Sequence, residues 1–336
     1  MNKRLSYIDI AKGILILLLP IHHYGSVLSR IDLSTNNDWI ITKYQYILGC
    51  FFMSAFFIIS GYCSNFNKNN KEFWKGNFKG IILPYITFTI ISCLINVFQY
   101  GNINKLVDSF VNYQTHCNLW FLFALIGSKT IVYYLQKLIE SQNFISNLFM
   151  HCICLMLLSV AVFCNNHFPS YNIIAIYHTL IASFFVLFGY DMKHYNGIYT
   201  HLKQHSLYLF PIIIIIFNIL NFQFPNFTAG IVIKLYQIPF FIVLAIMGTM
   251  FTLRFSEIIG KSTLLEFAGQ NSLIIYALHF IPLFNLFPII YDMTNANSTL
   301  INFIIFIITL YAIEYLCCFG MIYIFSSTKL KVLIGR

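Results

Sequence analysis

The sequence predicts an all-α integral membrane protein that crosses the bilayer about ten times. Three observations carry this prediction. The 336 residues are 59% hydrophobic and only 9% charged, whereas about 25% of the residues of a soluble protein are charged. The mean hydropathy of +0.75 is too high for a soluble domain or a disordered chain. Apolar stretches of about 20 residues, the length of a membrane-spanning helix, recur along the chain.

The apolar stretches predict the transmembrane helices in order. They cover residues 8–28, 44–63, 80–100, 119–138, 148–164, 173–190, 206–222, 228–253, 264–290 and 300–325. Aromatic residues crowd many of their ends, as they do at membrane interfaces. No soluble domain, repeat or long linker is visible. The whole chain, residues 1–336, is therefore predicted to form a single transmembrane domain.

The distribution of lysine and arginine predicts the orientation. With ten spans, the loops on one side contain only Arg30, Lys43 and Lys105, and nearly all other basic residues lie on the opposite side. Because basic residues concentrate in cytoplasmic loops, both termini are expected in the cytoplasm. The first apolar run is not expected to be a signal peptide, because it is longer than the core of one and has no small-residue cleavage site after it. The net charge of +9 lies in short spacers rather than a basic stripe, which argues against nucleic-acid binding.

The nine cysteines are scattered, mostly within apolar runs. No spacing repeats a CxxC pair, so the sequence predicts no metal site.

Ionisable residues are densest in the first predicted helix, which contains Asp9, Lys12, His22 and His23. Such residues are costly in a membrane and indicate function. Lys12 and His23 lie within about 20° of each other around the helix and about 16 Å apart along it. Lys12 is thus expected at the cytoplasmic mouth and His23 in the outer half of the bilayer. His22 points about 80–100° away from His23, and Pro20 is expected to bend the helix just before the pair.

His279 lies in the ninth predicted helix at a depth similar to that of His23. Two histidines at matching depth could meet across a cavity. The alternative for a single intramembrane histidine is a hydrogen bond between helices. Lys129 and Glu314 also lie at comparable depth, in the fourth and tenth helices, and could form a buried structural pair.

Several short segments follow one another in a characteristic order. They are YIDIAKG at 7–13 followed by His22 and His23, FFIISGY at 56–62, LPY at 83–85, LWFL at 119–122, and GQNSL at 269–273 followed by Tyr276 and His279. Together these segments resemble the membrane acyltransferase 3 family, in particular its sugar O-acetyltransferase branch. That family carries Arg or Lys, ten intervening residues and then His in its first helix, and Lys12 and His23 match this pattern. His22 stands where the family usually has glycine.

The resemblance implies acyl transfer from cytoplasmic acyl-CoA, most often acetyl-CoA, to a hydroxyl of a sugar or cell-surface polysaccharide precursor. The expected partners are the lipid bilayer, the acyl-CoA donor and a glycan acceptor, with no bound cofactor. The expected location is the bacterial cytoplasmic membrane. No segment resembles the periplasmic domains that complete the reaction in some members, so transfer is expected within the helices or with a separate partner.

The resemblance also implies roles for residues. His23 is expected to act as general base on the acceptor hydroxyl, and His279 as a second acid/base or as a group that orients the acceptor. Lys12, Lys75 and Lys79 are expected to attract the CoA phosphates. Lys75 and Lys79 replace arginines typical of the family, and lysine keeps the charge without the bidentate geometry. Candidates for contacts to the oxyanion or the acceptor are Trp120, Asn271, Ser272 and Tyr276.

Three alternatives stay open. An acyl group carried on histidine would relay the transfer covalently. Some relatives of the family are described as polysaccharide exporters, although the sequence shows none of the two-fold internal symmetry found in many transporters. A purely structural membrane subunit would leave the spacing of Lys12 and His23 unexplained.

Overall fold

The fold was analysed in a computed structural model that describes residues 5–30, 38–100, 119–139, 144–172, 175–194, 196–327 and 329–334. Within these residues the regular structure is helical apart from one two-stranded hairpin. The predicted all-α class is therefore confirmed.

The helices of the described residues follow the apolar pattern closely. In chain order they are α1 (Ser6–Arg30), α2 (Asp38–Gly49), α3 (Phe52–Tyr62), α4 (Asn70–Asn77), α5 (Leu83–Tyr100), α6 (Trp120–Leu138), α7 (Phe144–His167), α8 (Ile176–Met192), α9 (Asn196–Ile219), α10 (Ile238–Ile259), α11 (Thr263–Gln270), α12 (Ser272–Leu278), α13 (Phe280–Thr294) and α14 (Leu300–Ser327). A π-helical turn, Phe78–Ile82, joins α4 to α5. Short 3₁₀ turns cover Pro169–Tyr171, Leu235–Gln237 and Lys329–Val332. The strands β1 (Asn226–Phe227) and β2 (Ile231–Val232) pair antiparallel.

The helices are those of a multi-pass membrane protein. Among the described residues, 6 helices are long and apolar enough to cross a bilayer, or up to 7 if the bent pair of α11 with the following helix is one span. Helices also overlap the described part of each of the ten predicted stretches. The count of ten spans, the single domain and the cytoplasmic termini stay predictions. Lys105, which contributes to the orientation argument, lies outside the described residues.

Two predicted stretches differ in detail from the structure. The stretch predicted over 228–253 begins with the β-hairpin, and its helix starts only at Ile238. Its first residues are apolar and β-branched around Gly230, a composition that suits a hairpin as well as a helix. The stretch predicted over 264–290 is broken, with a bend of 66° between α11 and α12. Asn271 lies between these two helices.

Contacts divide the described residues into two compact units. The first unit contains residues 5–48 and 256–334, apart from those not described. Helix α1 packs against α11, α12 and α13, and α14 packs against α12 and α13. The core of this first unit includes the fully buried side chains of Tyr24, Leu283, Phe287, Phe306 and Leu310.

The second unit contains the described residues from Gly49 to Phe255. Helix α8 lies at its centre and packs against α3, α6 and α7. Glycines let α3 and α8 touch through their backbones, because a Cβ atom at Gly61 would overlap the Val186 carbonyl and one at Gly189 would overlap the Ile58 carbonyl. The hairpin is anchored on this unit by Asn165, whose Nδ2 donates to the Ile231 carbonyl at 2.9 Å.

Candidate active site

Helix α1 presents its histidines to different surroundings. His22 is 2% exposed, whereas Lys12 and His23 are both only half-buried. The two histidine rings lie edge to face with centroids 5.3 Å apart. This burial pattern agrees with the spacing that sets Lys12 and His23 on one face of the helix.

A close crossing fixes α11 against the start of α1. A Cβ atom at Gly13 would overlap the Leu265 carbonyl, and one at Gly269 would overlap the Asp9 carbonyl. Only glycine at both positions allows the two backbones to approach this closely. The crossing explains why Gly13 follows Lys12 in the segment at 7–13 and why Gly269 precedes Gln270 in the segment at 269–273.

Polar side chains also tie the same two helices near the crossing. The hydroxyl of Ser6 donates to Glu266 Oε1 at 2.6 Å. The Gln270 amide donates to Asp9 Oδ2 at 3.4 Å. These contacts hold the end of α11, and therefore the position from which the chain turns into α12.

Asn271 forms the bend between α11 and α12. It is 4% exposed, and its side-chain Nδ2 donates to the Phe267 carbonyl at 2.8 Å. Its own carbonyl accepts hydrogen bonds from the backbone N–H groups of Ile274 and Ile275. Asn271 thus ends one helix and starts the next. Ser272 follows directly and is half-buried.

The surroundings of His279 determine which ring nitrogen carries its proton. Nδ1 lies 2.8 Å from the Tyr276 carbonyl and 3.2 Å from the Ile275 carbonyl. A carbonyl oxygen only accepts, so Nδ1 must donate and bear the hydrogen. The neutral ring then has its lone pair on Nε2, which is buried and has no hydrogen-bond partner among the described residues.

The structure brings His23 and His279 together. Their rings stack with centroids 5.3 Å apart and an angle of 27° between the planes. Phe280 packs against both, with its centroid 4.5 Å from His23 and 4.2 Å from His279. Two imidazoles beside an apolar wall can accept and return protons where bulk water is limited.

The remaining candidates of the first unit lie near this pair in sequence. Tyr276 is 8% exposed, and its ring centroid lies 6.4 Å from that of His279. Its backbone carbonyl is the group that orients His279. The sequence does not indicate this role, because a backbone carbonyl leaves no mark on residue type. Phe280 was also not singled out from the sequence, although an aromatic residue directly after His279 is a usable signal.

The two candidate lysines of the second unit, Lys75 and Lys79, lie on and directly after α4. Lys75 occupies the last turn of α4, and Lys79 lies in the π-helical turn; both are exposed. Phe73 anchors α4 by stacking on Tyr133 of α6, with ring centroids 3.9 Å apart and planes 9° apart. The Tyr133 hydroxyl donates to Asn70 Oδ1 at 2.7 Å. The participation of Lys75 and Lys79 in donor binding stays a prediction.

Trp120 lies in an aromatic cluster of the second unit. Its ring centroid is 4.4 Å from that of His178 and 5.9 Å from that of Phe227. His178 is itself engaged at both ring nitrogens, with Nε2 donating to the Thr228 carbonyl at 2.9 Å and Nδ1 3.2 Å from Asn172 Nδ2. This arrangement supports a structural role for His178. The proposed contact of Trp120 with substrate stays a prediction.

No three His, Cys, Asp or Glu side chains come together as a metal site within the described ranges. Glu314 accepts a hydrogen bond from the Tyr24 hydroxyl at 3.3 Å, and Lys129 belongs to the second unit. The predicted pair of Lys129 and Glu314 therefore stays a prediction.

Comparison with known proteins gives one match. The family model described as "Acyltransferase domain", that of the acyltransferase 3 family, matches residues 5–323. The match includes the segments around Lys12, His23, Trp120 and His279. No curated protein and no solved structure matches the chain.

Proposed function

Because the chain belongs to the acyltransferase 3 family and is a multi-pass membrane acyltransferase, we propose that it transfers an acyl group, with acetyl the expected group, from cytoplasmic acyl-CoA to a sugar hydroxyl. The acceptor is a sugar or a precursor of cell-surface polysaccharide, and the location is the bacterial cytoplasmic membrane. The stacked pair of His23 and His279 is the observation that carries this proposal.

The proposed reaction uses His23 as general base. The acceptor oxygen attacks the carbonyl carbon of the thioester while His23 takes the hydroxyl proton. The new C–O bond gives a tetrahedral intermediate, and its collapse breaks the C–S bond. The protonated His23 then returns the proton to the CoA thiolate, so the enzyme ends in its starting state.

His279 is proposed to orient the acceptor. Its Nδ1 hydrogen is held by the Tyr276 carbonyl, so Nε2 can only accept. A sugar carries neighbouring hydroxyls, and one can donate to Nε2 of His279 while the other meets His23. The stacking of the two rings, with centroids 5.3 Å apart, supports contact of both histidines with one sugar. A second acid/base role for His279 would appear as an additional step in the pH–rate profile.

Positive charge is proposed to bind the donor. Lys12 lies about 16 Å from His23 along the helix axis, a distance that an extended pantetheine arm can bridge. Lys75 and Lys79 are exposed and can meet phosphate groups without losing existing partners in the protein core. Ser272, Tyr276, Asn271 and Trp120 are the proposed contacts for the oxyanion or the acceptor.

The experiment compares host cells that carry the gene, lack it, or carry His23→Ala. The O-acetyl content of surface polysaccharide is measured by NMR, and the polymer at the surface and inside the cell is quantified separately. We expect both altered strains to lose the O-acetyl groups while the polymer still reaches the surface. Equal amounts of wild-type and variant protein in the membrane fraction are the control.

An exporter would give the opposite pattern. The polymer would accumulate inside cells that lack the gene, and it would carry its normal O-acetyl groups. That result would contradict the transferase assignment.

A further inference from the structure

Pro20 lies inside α1, two residues before His22 and three before His23. Proline has no N–H, so the carbonyl of Ile16, four residues earlier, loses its helical donor. Ile16 is 1% exposed and Pro20 is buried. A buried carbonyl without a donor is unfavourable, so another group must supply the hydrogen bond.

Helix α14 supplies that donor. The Tyr315 hydroxyl donates to the Ile16 carbonyl at 2.9 Å. One turn earlier on α14, the Tyr311 hydroxyl donates to the Leu17 carbonyl at 3.1 Å. The two tyrosine rings pack together with centroids 4.7 Å apart. Both hydroxyls therefore reach the turn of α1 that Pro20 disturbs.

The same face of α14 also holds α1 beyond the histidines. Glu314 lies between the two tyrosines in sequence, and its Oε2 accepts from the Tyr24 hydroxyl at 3.3 Å. Tyr24 and Glu314 are both fully buried. Helix α14 thus contacts α1 at residues 16–17 and again at residue 24, and His22 and His23 lie between these contacts.

We propose that Tyr315 is a positioning residue for acyl transfer, acting through His23, and that Tyr311 supports it. This inference rests on the proposed function of His23. Less than one turn separates Pro20 from His23, so a shift of the turn that contains Pro20 moves the imidazole with it. A displacement of about 1 Å at a reacting group can lower a rate about 100-fold. The hydroxyl of Tyr315 supplies the hydrogen bond to the Ile16 carbonyl that residue 20 of the helix cannot supply.

The experiment is a double-mutant cycle with Tyr315→Phe, Pro20→Ala and the combination, in purified protein in nanodiscs. With Pro20 present, Tyr315→Phe leaves the Ile16 carbonyl without a donor, and we expect kcat to fall about tenfold. The KM for acetyl-CoA should stay unchanged, because the Tyr315 side chain is buried and its hydroxyl is bonded to the Ile16 carbonyl. In the Pro20→Ala background, the backbone N–H of residue 20 bonds to the Ile16 carbonyl, and Tyr315→Phe should lower kcat by less than about twofold.

Tyr323→Phe is the matched control. It makes the same chemical change on the same helix, at a side chain that is 73% exposed, and should leave kcat unchanged. If Tyr315→Phe does not fold, Tyr311→Phe takes its place, because Tyr311 is only half-buried. Its loss of kcat should be smaller, because Tyr311 donates to the Leu17 carbonyl, which keeps the helical N–H of residue 21 as a donor. An unchanged kcat in Tyr311→Phe would overturn its supporting role.

An equal loss of kcat from Tyr315→Phe in the wild-type and Pro20→Ala backgrounds would overturn the inference, as would an increase in KM in place of a decrease in kcat. A wild-type protein without any acyl transfer would overturn the proposed function instead, and the positioning role with it.

Discussion

Two buried histidines, one in each unit, differ in what their ring nitrogens contact. His178 of the second unit donates from Nε2 to the Thr228 carbonyl, and its Nδ1 lies against the Asn172 amide. His279 of the first unit donates from Nδ1 to the Tyr276 carbonyl, while its Nε2 has no hydrogen-bond partner among the described residues. Burial alone therefore does not separate the two histidines. The difference lies in Nε2 of His279, which is the atom proposed to accept a hydrogen bond from the acceptor.

Both units nevertheless use the same packing device. Two glycines bring α1 and α11 into backbone contact in the first unit, and two glycines do the same for α3 and α8 in the second. In the first unit the crossing leads directly into the bend at Asn271 and on to His279. In the second unit the central helix α8 carries His178, whose hydrogen bond holds the hairpin. Substitutions in the two units should therefore have different effects on the rate of acyl transfer.

The largest difference in the rate of acyl transfer is expected between His279→Phe and the same substitution at His178. His279→Phe keeps an aromatic ring beside His23 and Phe280 but removes Nε2, so acyl transfer should fall about 100-fold. Transfer of radiolabelled acetyl groups from acetyl-CoA, measured on purified protein in nanodiscs, gives the rate. A rate within twofold of the wild type would remove His279 from the site.

The glycine crossings should affect the two units differently. Gly269→Ala and Gly61→Ala each place a Cβ against backbone, which cannot move aside, and should lower the free energy of unfolding by about 1–3 kcal/mol. Only Gly269→Ala should also lower kcat, because α11 leads to His279. Gly320→Ala is the control, since nothing lies within 4 Å of the added Cβ. Equal kcat losses for the Gly269 and Gly61 variants would refute this distinction.

His178→Phe should lower the stability of the protein and leave the rate of acyl transfer unchanged. It removes the donor to the Thr228 carbonyl and the acceptor for Asn172, at a cost of about 1–3 kcal/mol. Thermal unfolding can be followed by the fluorescence of Trp120, which packs on His178. The rate per folded molecule should stay near that of the wild type. A large loss of rate without loss of stability would assign His178 to the reaction.

The smallest effect is expected from Lys12→Met. Removing one partly exposed charge should raise the KM for acetyl-CoA about fivefold, equivalent to roughly 1 kcal/mol, with little change in kcat. The difference from the wild type should shrink as salt is added, because screening weakens the attraction. A KM that is unchanged at low salt would exclude Lys12 from the donor site.

The sequence was sufficient for the membrane class and for most helices, because apolar length is a strong signal. It also singled out His23 and His279 at similar depth, and the structure stacks their rings. It could not distinguish the hairpin at 226–232 from helix, because a short apolar β-branched run fits both. The tautomer of His279 depends on the Tyr276 carbonyl, and the support at Pro20 depends on tyrosines almost 300 residues away in sequence. The first contact is to a backbone carbonyl, which leaves no mark on residue type, and the second arises only from tertiary packing.

We propose above that the histidine pair of the first unit carries out acyl transfer. The most direct test measures the release of CoA from acetyl-CoA in the presence of glycan acceptor by purified wild-type protein and His23→Ala. The variant should show normal thermal unfolding and should lose at least about 100-fold in rate. A His23→Ala protein that transfers acetyl groups at the wild-type rate would show that His23 is not the general base.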